Sequence, residues 1–163
     1  MSTAIPEQIA TVLVERLETI TTDNSYAFSV NDVTRVQRSA KGWTPRNLSL
    51  AVEMGAENRS PDIDHEGNPA ALGYVQEYLI HGFVRQSDRG TTVDNTTENA
   101  LVAAIKKAVA GTSDWHTFGD VSIDADWGPK RPFISPEGEH AGQTLSLLVM
   151  YRISETDPFE ARA

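Results

Sequence analysis

Leu48-Ser49-Leu50-Ala51-Val52-Glu53-Met54 is the most regular run in the chain, and its reading decides the fold class. Leu48, Leu50, Val52 and Met54 fall on one beat; Ser49, Ala51 and Glu53 fall on the other. Side chains of an extended strand point alternately to opposite faces, so this period of two predicts a strand with one apolar face. Upstream, Lys41-Gly42-Trp43-Thr44-Pro45 reads as a turn, because Gly and Pro interrupt regular pairing. Before it, Phe28, Val30, Val33 and Val36 predict one strand, or two short ones, within Tyr26 to Arg38. Further back the period changes. Ile5, Ile9, Val12, Leu13, Leu17 and Ile20 recur three and four apart and share one face of a helix. Ser2 or Thr3 is its expected cap, and Pro6 suits its first turn.

Downstream, Gly55 to Ala71 is rich in Asn, Asp, Ser, Gly and Pro and predicts a long polar loop, a feature usually functional or disordered in a compact domain. From Leu72 to Arg85 a long strand carries apolar residues on both beats: Val75, Leu79 and Phe83 against Tyr74, Tyr78 and Ile80. Such a strand is expected to be covered on both sides or to meet a partner chain. Asp94 to Ala110 predicts a second amphipathic helix, with Asn95 and Glu98 at capping-box spacing and Gly111 as its stop. Val121, Ile123 and Ala125 then predict a strand, Gly128 to Pro136 an extended stiff segment, and Leu145, Leu147, Val149 and Tyr151 a last strand. The order is helix, three strands, helix, two strands. It predicts an α+β domain over residues 1–154, an antiparallel sheet of about four to five strands with both helices packed on one face, followed by a tail at 155–163.

Composition narrows the function classes. The chain has 163 residues, no cysteine, 14 Lys and Arg against 23 Asp and Glu, and a formal net charge of −9. Absence of cysteine removes disulfides, thiol nucleophiles, iron–sulfur clusters and Cys-based zinc sites. No apolar run approaches the ~20 residues of a membrane-spanning helix. MSTAIPEQ lacks the basic start and apolar block of a signal peptide, so a soluble domain made inside the cell is expected. The acidic balance also argues against gripping DNA or anionic lipid through net charge.

Asp62-Ile63-Asp64-His65-Glu66-Gly67 resembles the opening of an EF-hand calcium loop. The twelfth position is Gly73, however, where a bidentate Glu is required, and the neighbouring elements read as strands. A solvated acidic loop is the expectation there, and a small metal-binding enzyme using Asp62 to Glu66 is the alternative from another class. His65, His81, His116 and His140 are scattered and read as surface or interface residues. The chain has no nucleophile elbow, phosphate loop or metal-binding helix pair, and Asp124 and Asp126 follow the polar beat of a strand. No enzyme, cofactor or metal is therefore expected. Arg35, Arg38, Lys41 and Arg46 cluster around Trp43, with no acid between Val33 and Val52. This basic patch suits nucleic acid or, better given the net charge, an acidic patch on a neighbouring subunit.

The same order of elements, closing on Leu147-Leu148-Val149-Met150-Tyr151-Arg152 and Asp157-Pro158-Phe159, resembles the tail terminator, or tail-completion, family of tailed bacteriophages over most of the chain. That resemblance implies an α+β subunit of a homo-hexameric ring in the virion, made in the host bacterial cytoplasm. The ring caps the head-proximal end of the tail tube, stops its polymerisation and joins it to a neck or head-completion protein. DNA passes through without specific binding, and no membrane is involved. Expected contact residues with neighbouring subunits or partners are Arg35, Arg38, Lys41, Trp43, Arg46, Tyr74, Tyr78, Pro132 and Phe133. Asn58, Arg59, Asp62, Asp64, His65 and Glu66 are expected to form a tube-docking loop, mobile when free. A head-closure, stopper or connector protein of the same neck is the nearest alternative.

Overall fold

The computed structural model describes residues 3–36, 47–67, 69–85, 95–134 and 140–162. Helix α1 spans Ile5–Glu18 and α2 spans Asn95–Ala110. The strands are β1 (Asp32–Val36), β2 (Ser49–Arg59), β3 (Ala71–Arg85), β4 (Asp124–Ile134) and β5 (His140–Ser154). They form one sheet in the order β1-β2-β3-β5-β4. The α+β class and the element order are those expected. The sheet is mixed, however: β1 runs parallel to β2, and the other three pairings are antiparallel.

Both helices lie on one face. Tyr78, Ile80 and Gly82 share a beat of β3; the Tyr78 hydroxyl donates to Pro6 O at 2.8 Å, at the start of α1. At Gly82, an added Cβ would lie 3.1 Å from Leu101 and 3.2 Å from Ile105, both on α2. Leu50, Val52, Leu145, Leu147 and Val149 complete this apolar floor, and Ile5, Ile9, Leu13 and Leu17 of α1 close on it. All nine are essentially removed from solvent. Arg16 fastens the far end of α1, donating to Val109 O and Trp115 O with its guanidinium 4.4 Å from the Phe118 ring centroid. Burial holds its pKa below the ordinary arginine value.

Several boundaries moved for local reasons. The α1 cap is Ala4, with no side-chain bond. Glu98 faces the sheet and accepts from Gln143 Nε2. Leu48, expected to open β2, has φ of 54° and stands before it. Of the strand expected at Val121 to Ala125, Asp124 and Ala125 belong to β4, which runs on through residues 128–134 of the expected stiff segment and absorbs Gly128-Pro129 in a register shift between Trp127 and Lys130. Of the described residues in the stretch Tyr26 to Arg38 expected to hold strand, Asp32–Val36 form β1, and Tyr26, Phe28 and Val30 pack against the core ahead of it; Gln37 and Arg38 lie outside the described residues.

Candidate functional site

Two features converge at one end of the sheet: the connection from β2 to β3 and a cleft beside it. The first corrects the expectation of a long polar loop. β2 continues five residues beyond Met54, taking up a register shift between Met54 and Glu57, and pairs with β3 as far as Arg59↔Tyr74. Only 60–70 lie between the strands, and that connection is tied down. Arg59 meets Asp64 through two bonds of 2.6 Å each and also donates to Gly73 O. Asp64 Oδ1 accepts the Gly73 amide at 2.8 Å, and Arg152 Nε donates to Ile63 O. The backbones of His65 and Ala71 bond in both directions. Gly73 is required here, since a Cβ would stand 2.3 Å from Ile63 Cγ1 and 2.7 Å from Ser60 O.

This anchoring has an electrostatic signature. The Arg59 guanidinium, and then the Gly73 amide, hold the Asp64 carboxyl below its ordinary pKa. A carboxylate already engaged by a bidentate arginine and a backbone N–H is poorly free to serve a cation. Among the described residues no group of three or more His, Asp or Glu side chains is placed to hold a metal. Behind the pair the contacts continue inward. Arg59 lies 5.4 Å from the Tyr74 ring centroid, Tyr74 stacks on Tyr151 at 5.9 Å and 20°, and the Tyr151 hydroxyl donates to Glu57. Burial and the facing Glu57 carboxylate push the Tyr151 pKa up.

The second feature lies beside β2, next to Arg35 and Val36 of β1. Among the described residues, β1 pairs with β2 as far as Val36 opposite Glu53. A cleft of about 900 Å³ opens there, lined by Glu7, Arg35, Val36, Met54, Gly55, Ala56, Glu57 and Gln76. Arg35 pairs with Glu7 and also contacts Met54 Sδ at 3.2 Å. The hydrogen bond from Arg35 lowers the Glu7 pKa.

The C-terminal segment completes this end. Glu155 N donates to Ala70 O, Ser154 N to Glu160 O, and Arg162 N to Arg152 O. The tail thereby turns back beside β5, with Ile153 bridging Ala161. Asp62, Glu66, Glu155, Asp157 and Glu160 are all exposed here, making the surface acidic.

The expected site residues divide accordingly. Arg59, Asp64 and Tyr74 come together in the anchored connection, while Asn58, Asp62, His65 and Glu66 are exposed around it. Arg35 lies in the cleft. Tyr78 sits in the core, fully buried beneath α1, and so belongs to packing and not to a surface. Pro132 is exposed on β4, at the other edge of the sheet, and Phe133 follows it in the same strand. Arg38, Lys41, Trp43 and Arg46 lie outside the described residues.

One arrangement escaped the sequence reading. His81, expected at a surface or interface, is buried on the sheet face opposite the helices. Its Nδ1 lies 2.9 Å from Thr144 Oγ1 and its Nε2 lies 3.0 Å from Glu53 Oε2. Hydroxyl, imidazole and carboxylate in series are the ingredients of nucleophile activation. Here Glu53 and His81 are 8% and 7% exposed, and the three side chains clasp β2, β3 and β5 together. Their separation in sequence hid them; the one available signal was His81 falling on the same beat as Leu79 and Phe83.

No family model and no curated protein matches the chain. Among solved structures it matches a chain from the "Virion of native gene transfer agent (GTA) particle", at 14% identity over 93% of this chain and 92% of that one, with a TM-score of 0.43. At that identity and score the likeness carries no argument about function.

Proposed function

We propose that this chain is a structural virion protein, the tail terminator of a phage-like particle, whose copies form a homo-hexameric ring on the head-proximal end of the tail tube. One observation carries the reading. The order helix, three strands, helix, two strands, on which the resemblance to that family rests, is the order of the folded chain, with both helices on one face of the sheet. The proposed partners are further copies of the chain, the tube protein below and a neck or head-completion protein above. The anchored 60–70 connection is the proposed tube contact, presented as a preformed surface that keeps ordering entropy out of the docking step. The net charge of −9 suits a ring whose channel repels the DNA backbone and lets it slide.

The test is to add the purified protein to polymerising tube subunits and image the product. Rings of hexameric size at one end of tubes whose growth has stopped are expected. Tubes that lengthen unchanged with bare ends would overturn the proposal.

A further inference from the structure

Resting on the ring reading, we infer that the C-terminal tail is an exchangeable strap: in the assembled ring, residues 160–162 of each copy pair with β5 of the next copy. The seat is visible within one copy. β4 begins opposite Met150, and beyond that point the tail takes the same side of β5. Ser154 N donates to Glu160 O and Arg162 N to Arg152 O, each at 3.1 Å, and Ala161 packs against the core. A neighbour carries the same residues, so its tail fits this seat with the same bonds. Exchange of an identical element costs little for that reason.

The hold within one copy is slight. Glu155 to Glu160 are all exposed, and Phe159, the largest side chain of the tail, is 47% exposed. The Arg162–Glu160 pair is a surface salt bridge, a kind worth little. Segments with few buried apolar contacts open at small cost. Glu155 N is fixed to Ala70 O at 2.9 Å, so the crossing stretch is Thr156 to Phe159. Extended, that stretch reaches about 14 Å, more than the roughly 10 Å between packed sheets. The turn gives up its own bonds, among them Phe159 N to Asp157 Oδ1 and Glu160 N to Asp157 O, between exposed residues that water satisfies instead. In return a subunit boundary covers Phe159, which the closed turn leaves in solvent. A tail passed in one direction from copy to copy is a head-to-tail link, and such links close a ring when the rotation allows. In dilute solution the tail's own seat is nearest, whereas copies lined up on a tube end offer neighbouring seats at high effective concentration.

The chain contains no cysteine, so an introduced disulfide reports which copy a tail is seated on. The two backbone bonds flank Ile153 and Ala161, which makes them a non-hydrogen-bonded pair with close side chains, within the span of a disulfide. Oxidised as dilute free protein, the double variant Ile153→Cys, Ala161→Cys is expected to close internally and run as a monomer. Assembled on tube ends while reduced and then oxidised, it is expected to give a ladder of dimers, trimers and higher species. Copies with only Ile153→Cys mixed with copies with only Ala161→Cys should stop at dimers. The variant closed internally beforehand should lose capping, and reductant should restore it. Caps whose copies hold only internal disulfides, or a closed variant that caps as well as the reduced one, would overturn this inference and leave the terminator reading standing. No disulfide in either state would show that residues 153 and 161 do not pair and would overturn it too. A ladder without caps would support the exchange and count against the terminator role; neither caps nor ladder would overturn both.

Discussion

Asp64 shows how one carboxylate converts a polar stretch of sequence into a fixed surface. Its two oxygens take Arg59 and the Gly73 amide, and both favour the ionised form. Because the folded-state pKa is depressed, the stabilisation is complete above the unfolded carboxylate value of about 4 and is lost as pH falls through the lower folded value. In an NMR titration the Asp64 midpoint should lie below that of an exposed Asp. It should move up toward the ordinary value in Arg59→Ala; an unmoved midpoint would show that Arg59 is not the cause.

Within the elements, the weight falls on the contact of α1 with the sheet. Leu13 is fully buried in that contact, so Leu13→Ala removes apolar area and leaves a void, at a cost of about 2–5 kcal/mol. Tyr78→Phe keeps the ring and loses only the bond to Pro6 O, at about 0.5–1.5 kcal/mol. Denaturant unfolding should rank the two in that order. The reverse ranking would mean that the tyrosine hydroxyl, and not apolar packing, seats the N-terminus of α1. Close to that N-terminus, Glu7 of α1 lines a cleft with Met54 and Ala56 of β2.

For the molecule as a whole, the position of β4 at the edge of the sheet among the described residues bears on assembly. An unpaired edge is a template for another chain, and proline interrupts it by removing a donor. Pro132 is exposed on that edge strand. Pro132→Val should raise non-specific self-association, seen as a larger scattering mass at equal concentration. An unchanged mass would assign the protection to the irregularity between Trp127 and Lys130 instead.

By itself the sequence determined the class of fold, the number and order of its elements, and the apolar face of each helix, because those depend on periods of 3.6 and 2 that a chain carries locally. It also located Gly111 at the end of α2, where a Cβ would stand 2.4 Å from Lys107 O. Tertiary structure alone decided three other things. Alternation along β1 is the same for a parallel or an antiparallel neighbour, so only the assembled sheet sets its direction. Gly55 to Arg59 reads as loop by composition, yet β3 supplies the paired partners that make it strand. Glu53, His81 and Thr144 stand far apart in the chain, and so do Arg59 and Tyr151. Register across β2, β3 and β5 brings them together, and register is a property of paired strands that no single stretch contains.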